Sequence, residues 1–454
     1  MSGIGNPQRD DLPSPWSVSD RPVPRAVVQP LQRFLHTEIA SGVALLVAAV
    51  IALVWANSPW SHVYTQIWET PLTLRLGGLE LSEDLRHWVN DLLMALFFFV
   101  AGLEIKRELT HGDLRDPRTA LLPVACAFGG MVIPALLYVA LNVGGPDVAG
   151  WGIPMATDIA FALGVLALVG DRAPAGLRLF LLTLAIVDDI GAILVIAVFY
   201  SSGVSGTWLT VAAATVIAVV AMDRLHIRAL VPYIVAAGVL WLAVYSSGVH
   251  ATIAGVILGL LTPASPFHPP ERVTDPMDAE LESVRALPPD GRADENEQSS
   301  LMEVARLAYE SISPLTRLEA ALHPWSAFVV LPLFALTNAG VTLSAQTLRD
   351  SLGNPVALGV VLGLVVGKPL GIVGAALIAV GSRRARLPTG VGWAQLVGVA
   401  VIAGVGFTVS IFIAGLAFSS AETADMAKVG ILLASLVAGL IGTAVLIARP
   451  ARPS

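Results

Sequence analysis

Three aspartates stand inside stretches that are otherwise almost pure hydrocarbon, and they narrow the possible folds more than any other feature. Asp158 lies in Gly152-Ile-Pro-Met-Ala-Thr-Asp-Ile-Ala-Phe-Ala-Leu-Gly164. Asp188 and Asp189 lie in Leu184-Ala-Ile-Val-Asp-Asp-Ile-Gly-Ala-Ile-Leu194. No polar flank is close enough to carry them to water. A carboxylate at mid-bilayer costs roughly 2.5–3.5 kcal/mol even on a lenient insertion scale, so its default reading is functional: ion binding or proton carriage. The chain around them is 55% hydrophobic and only 13% charged, whereas a soluble domain carries about a quarter charged residues. The expected class is an all-α polytopic membrane protein.

A helix needs about 20 apolar residues to cross the hydrocarbon, and such runs recur about twelve times. They fall at 36–56, 84–107, 120–141, 151–169, 176–200, 207–223, 230–244, 248–262, 315–339, 355–379, 393–417 and 425–447. The runs 230–244 and 248–262 are short for a bilayer and must be tilted, interfacial or sheltered. Basic residues cluster after alternate spans, as with Lys106, Arg107, Arg115 and Arg118, and again with Arg383, Arg384 and Arg386. The intervening loops 144–148, 201–206 and 245–248 carry no Lys or Arg. This bias puts both termini in the cytoplasm. The lipid bilayer is the expected macromolecular environment, with no nucleic-acid partner.

The domain reading follows from composition. Residues 1–33 are polar, carry six prolines and lack a basic region followed by an apolar core, so they read as a disordered cytoplasmic tail rather than a signal peptide. Membrane segments 34–262 and 314–448 flank an insertion, 263–313, and 449–454 form a short cytoplasmic tail. The insertion holds eleven acids, four arginines and seven prolines. Its net charge equals that of the whole chain, −7, so the remainder is neutral. It reads as a largely disordered cytoplasmic segment, with a short amphipathic helix at its 300–312 end. The lone cysteine, Cys126, excludes an intrachain disulfide. In the first external loop, residues 72–81 alternate with period two around Gly77-Gly78, a β-hairpin signal. An isolated hairpin is marginal in water, and pairing with a second subunit would support it.

The candidate chemistry begins at Asp158, which follows Thr157 and is bracketed by Gly152, Pro154 and Gly164. A second interrupted run, Ala403-Gly-Val-Gly-Phe-Thr-Val-Ser410, lies far downstream. Broken backbone at membrane depth is tolerated where it lines a cavity or is shielded by protein. Paired interrupted spans in two halves point to a transporter binding site. Asp158 would compensate exposed helix N-termini, and Lys368, in Val366-Gly-Lys-Pro-Leu-Gly371, exposed C-termini. Asp188 and Asp189 point about 100° apart on a helix, so one can face a sodium site while the other meets Lys368 or a cytoplasmic funnel. A hard cation wants oxygen ligands: carboxylates, the Thr157 hydroxyl, a backbone carbonyl and water. Protons compete for the same carboxylates, which titrate as a coupled set. That competition outlines an exchanger. A lone intramembrane Asp paired with Lys can be structural glue; the Thr-Asp, Asp-Asp and Lys set goes beyond it. Glu104, Arg107, Glu108 and Glu319 sit at helix ends, as an interfacial charged rim or an ion entrance. His250 reads as a packed or hydrogen-bonded histidine, and the glycines of 359–374 as a helix-packing surface.

These motifs, together with Gly102-Leu-Glu-Ile-Lys-Arg-Glu-Leu109, Ser247-Gly-Val-His-Ala-Thr252, Leu322-His-Pro-Trp325, Leu331-Pro-Leu-Phe-Ala335 and Asn338-Ala-Gly340, resemble the NhaA-type sodium/proton antiporters of bacteria. The resemblance runs in order through residues 34–448. It implies a twelve-helix inner-membrane protein with an inverted-topology repeat and two discontinuous helices crossing near Asp158. It implies that Asp188 and Asp189 bind the cation and protons with Thr157 lining the site, that Asp158 and Lys368 compensate charge, and that Lys368 bridges Asp188. Glu104, Arg107, Glu108 and Glu319 match positions associated with the cytoplasmic entrance and pH response. The implied activity is electrogenic export of Na+ or Li+ against entering protons, without a cofactor, in a homodimer joined through hairpin 72–81. The insertion and the long N-terminal tail depart from the pattern. Two rivals are an intramembrane aspartyl protease and a passive cation channel. The first lacks its Gly-x-Gly-Asp arrangement and a Tyr-Asp partner and leaves Lys368 unexplained. The second fits acidic rings less well than coupled titratable pairs.

Overall fold

A computed structural model describes residues 38–76, 79–201, 203–227, 230–285, 295–342, 349 and 353–448. The tails at 1–33 and 449–454 lie outside the described residues. Helices dominate. In chain order they are α1 (Glu38–Ala56), α2 (Ser61–Trp68), α3 (Leu85–Thr110), α4 (Pro117–Asn142), α5 (Ile159–Leu168), α6 (Ala175–Phe199), α7 (Gly206–Arg224), α8 (Leu230–Ser246) and α9 (Thr252–Leu261). There follow α10 (Pro270–Arg285), α11 (Glu295–Glu310), α12 (Pro314–Asn338), α13 (Pro355–Gly381), α14 (Trp393–Ile402), α15 (Phe407–Ala417) and α16 (Ala421–Ala448). Several begin by the same local chemistry. Proline opens α4, α12 and α13, where its missing N–H costs nothing. The preceding Asp116, Ser313 and Asn354 side chains accept from the first-turn amides of Arg118, Thr316 and Val356, satisfying donors that the helix cannot.

Among the described residues seven helices are long and apolar enough to cross a membrane: α3, α4, α6, α7, α12, α13 and α16. Three further candidates are bent pairs. Ala40–Ala56 and Ser61–Trp68 meet at 116°, Pro146–Met155 and α5 at 46°, and α14 and α15 at 46°. The chain is therefore a polytopic helical membrane protein. The two runs that are short for a bilayer form α8 and α9. For α9 the expected shelter is visible: Gly255 and Gly259 bring its backbone against α3 at Ala95 and Gly102, where a Cβ would collide with backbone carbonyls. Close backbone approach through small residues is how helices associate in lipid.

The glycines of 359–374 follow the same rule. Gly359 meets Tyr138, Gly363 meets Pro154, Gly367 meets Pro134, and Gly371 lies against the Gly129 carbonyl. One face of α13 is thereby seated on α4 and on the segment preceding α5. A π-helical turn, Gly363–Gly367, immediately precedes Lys368; such insertions cluster at functional sites. Phe98, Phe334 and Phe412 meet at the centre of the core, with ring centroids 5.7 and 6.2 Å from Phe412.

Strands β1 (Pro71–Leu76) and β2 (Leu79–Asp84) form an antiparallel hairpin, with Pro71 opposite Asp84 and Leu76 opposite Leu79. The expected hairpin is thus present and slightly longer than 72–81; its Gly77-Gly78 turn lies outside the described residues. Thr73 and Ser82 hydroxyls (2.8 Å) and the Arg75–Glu80 pair (2.7 Å) add cross-strand contacts.

The insertion departs from expectation. Instead of being largely disordered it carries two helices, α10 and α11, and α11 covers most of the expected 300–312 helix. Its base is closed by backbone bonds. The Phe267 and His268 amides donate to the Glu310 carbonyl (3.1 and 3.3 Å), and the Leu315 amide to the Pro263 carbonyl (3.1 Å). High net charge and proline content argue against a packed core; they do not prevent a short helix pair anchored at both ends.

Candidate functional site

Two of the bent helix pairs meet at their breaks. The tight 3-10 run Pro146–Met155 ends at Met155, the backbone is extended at Ala156 and Asp158, and α5 starts at Ile159. The second break, 403–406, separates α14 from α15. Hydrogen bonds join the two. The Asp158 amide donates to the Val405 carbonyl (2.8 Å), and the Ser410 hydroxyl to the Ile153 carbonyl (2.8 Å). Gly404 is required by proximity, since a Cβ there would strike the Leu364 carbonyl. Each break leaves helix-end amides and carbonyls unpaired far from water, and the site is built from the side chains that meet them.

Asp158 serves the amides. Its Oδ1 accepts from the Phe161 N–H of α5 (2.9 Å). Its Oδ2 accepts from the Thr408 N–H (3.1 Å) and the Thr408 hydroxyl (2.5 Å) of α15. One buried carboxylate therefore caps two helix starts, where the dipole favours negative charge. Lys368 serves the opposite polarity: its ammonium donates to the Met155 carbonyl, the last of the 3-10 run. The same Nζ lies 2.8 Å from Asp188 Oδ2, both side chains fully buried.

Asp188 and Asp189 come from the middle of α6. Thr157 Oγ1 lies 2.7 Å from Asp188 Oδ2 and 2.9 Å from the Ala403 carbonyl, and its single proton can serve one of them at a time. Asp188 Oδ1 is buried and has no hydrogen-bond partner. Asp189 is 4% exposed, and no protein donor reaches it among the described residues. Asp188, Glu104, Asp158 and Lys368 all act on it electrostatically. Buried polar atoms are nearly always paired, so the unpaired Asp188 oxygen sets this place apart from the rest of the described core. Thr157, Asp158, Asp188, Asp189 and Lys368 are thus brought together. Among the described residues no three or more His, Cys, Asp or Glu side chains converge as a resident metal centre would require; hydroxyl and carbonyl oxygens would have to complete a cation's shell.

The second predicted group assembles separately, between α3 and α12. Arg107 pairs with Glu319 across the two helices and lies 3.9 Å from Glu108. Glu108, itself buried, accepts from the Asp113 amide (3.1 Å). Glu104 lies one turn before Glu108 on α3.

With this geometry in view, comparison with known proteins is decisive. Residues 32–446 match the family Na+/H+ antiporter 1. The chain belongs to that family. Its similar proteins include Na(+)/H(+) antiporter NhaA 2 of Sorangium cellulosum, 47% identical over 445 residues, covering 98% of this chain and 95% of that protein. Na(+)/H(+) antiporter NhaA of Rhodopirellula baltica is 46% identical over 443 residues, 98% of each chain. Na(+)/H(+) antiporter NhaA 2 of Myxococcus xanthus is 47% identical over 457 residues, 100% of this chain and 97% of that protein. Membership in a family of antiporters, secondary transporters rather than enzymes, sets aside the protease, and coupled exchange sets aside the passive channel.

Sequence reasoning missed several members of this buried polar group. Thr408 supplies two of the three donors on Asp158, and Ser410 ties the two breaks together. Both are polar residues within the interrupted 403–410 run, which was the available signal. The carbonyls of Met155, Ala403 and Val405 carry no sequence signal, because every residue has one. His250 behaves as expected of a hydrogen-bonded histidine: Nε2 lies 2.8 Å from the Tyr200 carbonyl oxygen.

Proposed function

We propose that this chain is an electrogenic secondary antiporter of the bacterial inner membrane, exporting Na+ or Li+ in exchange for entering protons and so serving sodium and pH homeostasis. The observation that carries the reading is Asp188 Oδ1, buried without a partner beside an Asp189 that also lacks a protein donor. A small hard cation is suited to such a place. Asp188 and Asp189 hold the ion, with the Thr157 hydroxyl as a further ligand. Asp158 and Lys368 compensate the broken helices. No cofactor is needed; Na+, Li+ and H+ are substrates.

The chemistry follows from competition. A cation at Asp188 competes with the Lys368 ammonium for Oδ2 and with protons for both carboxylates. Two adjacent acids can take up more than one proton when one cation leaves, which makes net charge movement natural. Alternating access then carries only cation-loaded or proton-loaded forms. Because a protonated carboxylate cannot hold sodium, exchange rises with pH. Glu104, Arg107, Glu108 and Glu319 form the cytoplasmic entrance and bear on the pH response.

The finer architecture belongs to the same proposal. Seven long helices, three bent pairs and the short α8 and α9 fit about twelve crossings, with both termini cytoplasmic, as an inverted repeat whose two discontinuous helices cross at Asp158. The external hairpin joins two subunits in a homodimer. The deciding measurement is ion flux in proteoliposomes across pH, with Na+, Li+ and K+ compared. Na+ or Li+ should collapse an imposed pH gradient, and Asp189→Asn should reduce this to background. Full exchange by that variant would remove the site assignment.

A further inference from the structure

The insertion is tied to the entrance. Arg317, in the first turns of α12, places its guanidinium carbon 3.8 Å from the centre of the Tyr309 ring, which belongs to α11. The Arg317 Nε is buried and makes no hydrogen bond, so the aromatic face is the group the structure offers to that side of the cation. Two residues on, about 200° around the helix, Glu319 pairs with Arg107 of α3. The start of α12 is thus held from both sides, by the insertion at Arg317 and by α3 at Glu319. The cap of that start comes from the insertion's base as well, because the Ser313 hydroxyl accepts from the Thr316 amide (3.2 Å) and the buried Leu315 donates to the Pro263 carbonyl. Across the insertion's base, His268 lies 3.3 Å from Glu310, which follows Tyr309.

We propose that the insertion is a brace for the entrance, and that Tyr309 is a positioning residue acting through Arg317 on Glu319. This rests on the antiporter reading and extends it to a segment that reading leaves idle. The groups facing Glu319 are Arg107, paired with it, and Glu104 of α3; Glu108 lies against Arg107, and Arg317 is on the other side of Glu319's own helix. Without the Tyr309 ring, Arg317 is free to turn, the first turns of α12 loosen, and Glu319 no longer sits at a fixed distance from Arg107. The consequence is a changed field at Glu104 and a changed pH dependence of cation entry, with the binding carboxylates untouched.

The test uses the full-length protein in proteoliposomes, with Na+ as the substrate and pH and Na+ concentration varied. In Tyr309→Ala the pH of half-maximal exchange should move by roughly 0.3–0.7 unit, bounded by what an exposed cation–π contact supplies, since the Tyr309 ring is half open to solvent. The apparent KM for Na+ should change while the maximal rate stays near that of the parent. Tyr309→Phe keeps the ring and should restore the parental profile. In a Glu319→Gln background, Tyr309→Ala should add nothing. A Tyr309→Ala protein with the parental profile and KM overturns the brace, as does an equal shift with and without Glu319. Amide hydrogen exchange over 314–325, which does not depend on transport, should quicken in Tyr309→Ala; unchanged protection also counts against it. If the parent shows no exchange at all, the antiporter reading fails instead, and amide exchange still decides the brace.

Discussion

Asp158 and Asp188 are buried carboxylates beside the same broken backbone, yet their surroundings are opposite in kind. Asp158 receives three donors, all from helix starts, and both its oxygens are occupied. Asp188 shares one oxygen between Lys368 and Thr157 and leaves the other buried and bare. The first arrangement is complete and would lose by changing. The second keeps an unpaired oxygen beside the lysine. Burial alone therefore does not make two carboxylates alike, and the count of fixed donors separates them; on the proposed function the sparsely bonded one is the carboxylate that takes the ion.

The strongest way to break this comparison is to remove the two charges separately. Asp188→Asn should take exchange to background, because the ion loses a charged ligand, and should also destabilise the fold by roughly 3–5 kcal/mol, because Lys368 is left buried without its partner. Asp158→Asn should keep measurable exchange but lower thermal stability in detergent, because the amide nitrogen cannot accept and leaves either the Phe161 N–H or the Thr408 donors unpaired. Equal loss of exchange in both variants would erase the distinction. A finer version is Thr408→Val, which removes one donor from Asp158 and leaves its charge and the Thr408 amide. It should destabilise by about 1–2 kcal/mol with little effect on the apparent KM for Na+, read by thermal unfolding and flux together. The smallest effect on exchange is expected far from both carboxylates. Deleting Gly77-Gly78 from the hairpin should weaken dimerisation, measured by cross-linking in membranes, and leave exchange in place. An unchanged oligomer size would reject the hairpin as the contact.

Much of the site was legible because intramembrane charge is so costly. Asp158, Asp188, Asp189 and Lys368 are conspicuous against their apolar runs, and the Gly and Pro around 152–164 and 403–406 announce broken helices. Thr157 could be read as a ligand because it adjoins Asp158. Thr408 could not be singled out in the same way. A threonine in an apolar helix commonly bonds to its own backbone, and only the meeting of two distant breaks aims Thr408 at Asp158. The π turn before Lys368 has no sequence mark, since it depends on how Gly363 and Gly367 seat against Pro154 and Pro134. The insertion was misread in the other direction. Its composition forbids a large core, but its two ends are neighbours, and that closure supports α10 and α11.

The order of residues alone determined that this is a helical membrane protein with ionisable groups in its hydrocarbon layer, because no water-soluble arrangement accommodates such runs and no idle membrane segment retains such charges. Which oxygen stays open, which lysine faces it and which tyrosine lies against Arg317 were decided by the tertiary structure. Those contacts join segments as far apart as 157 and 403 or 155 and 368. Their geometry depends on helices packed through glycine faces, and local sequence carries no term for it.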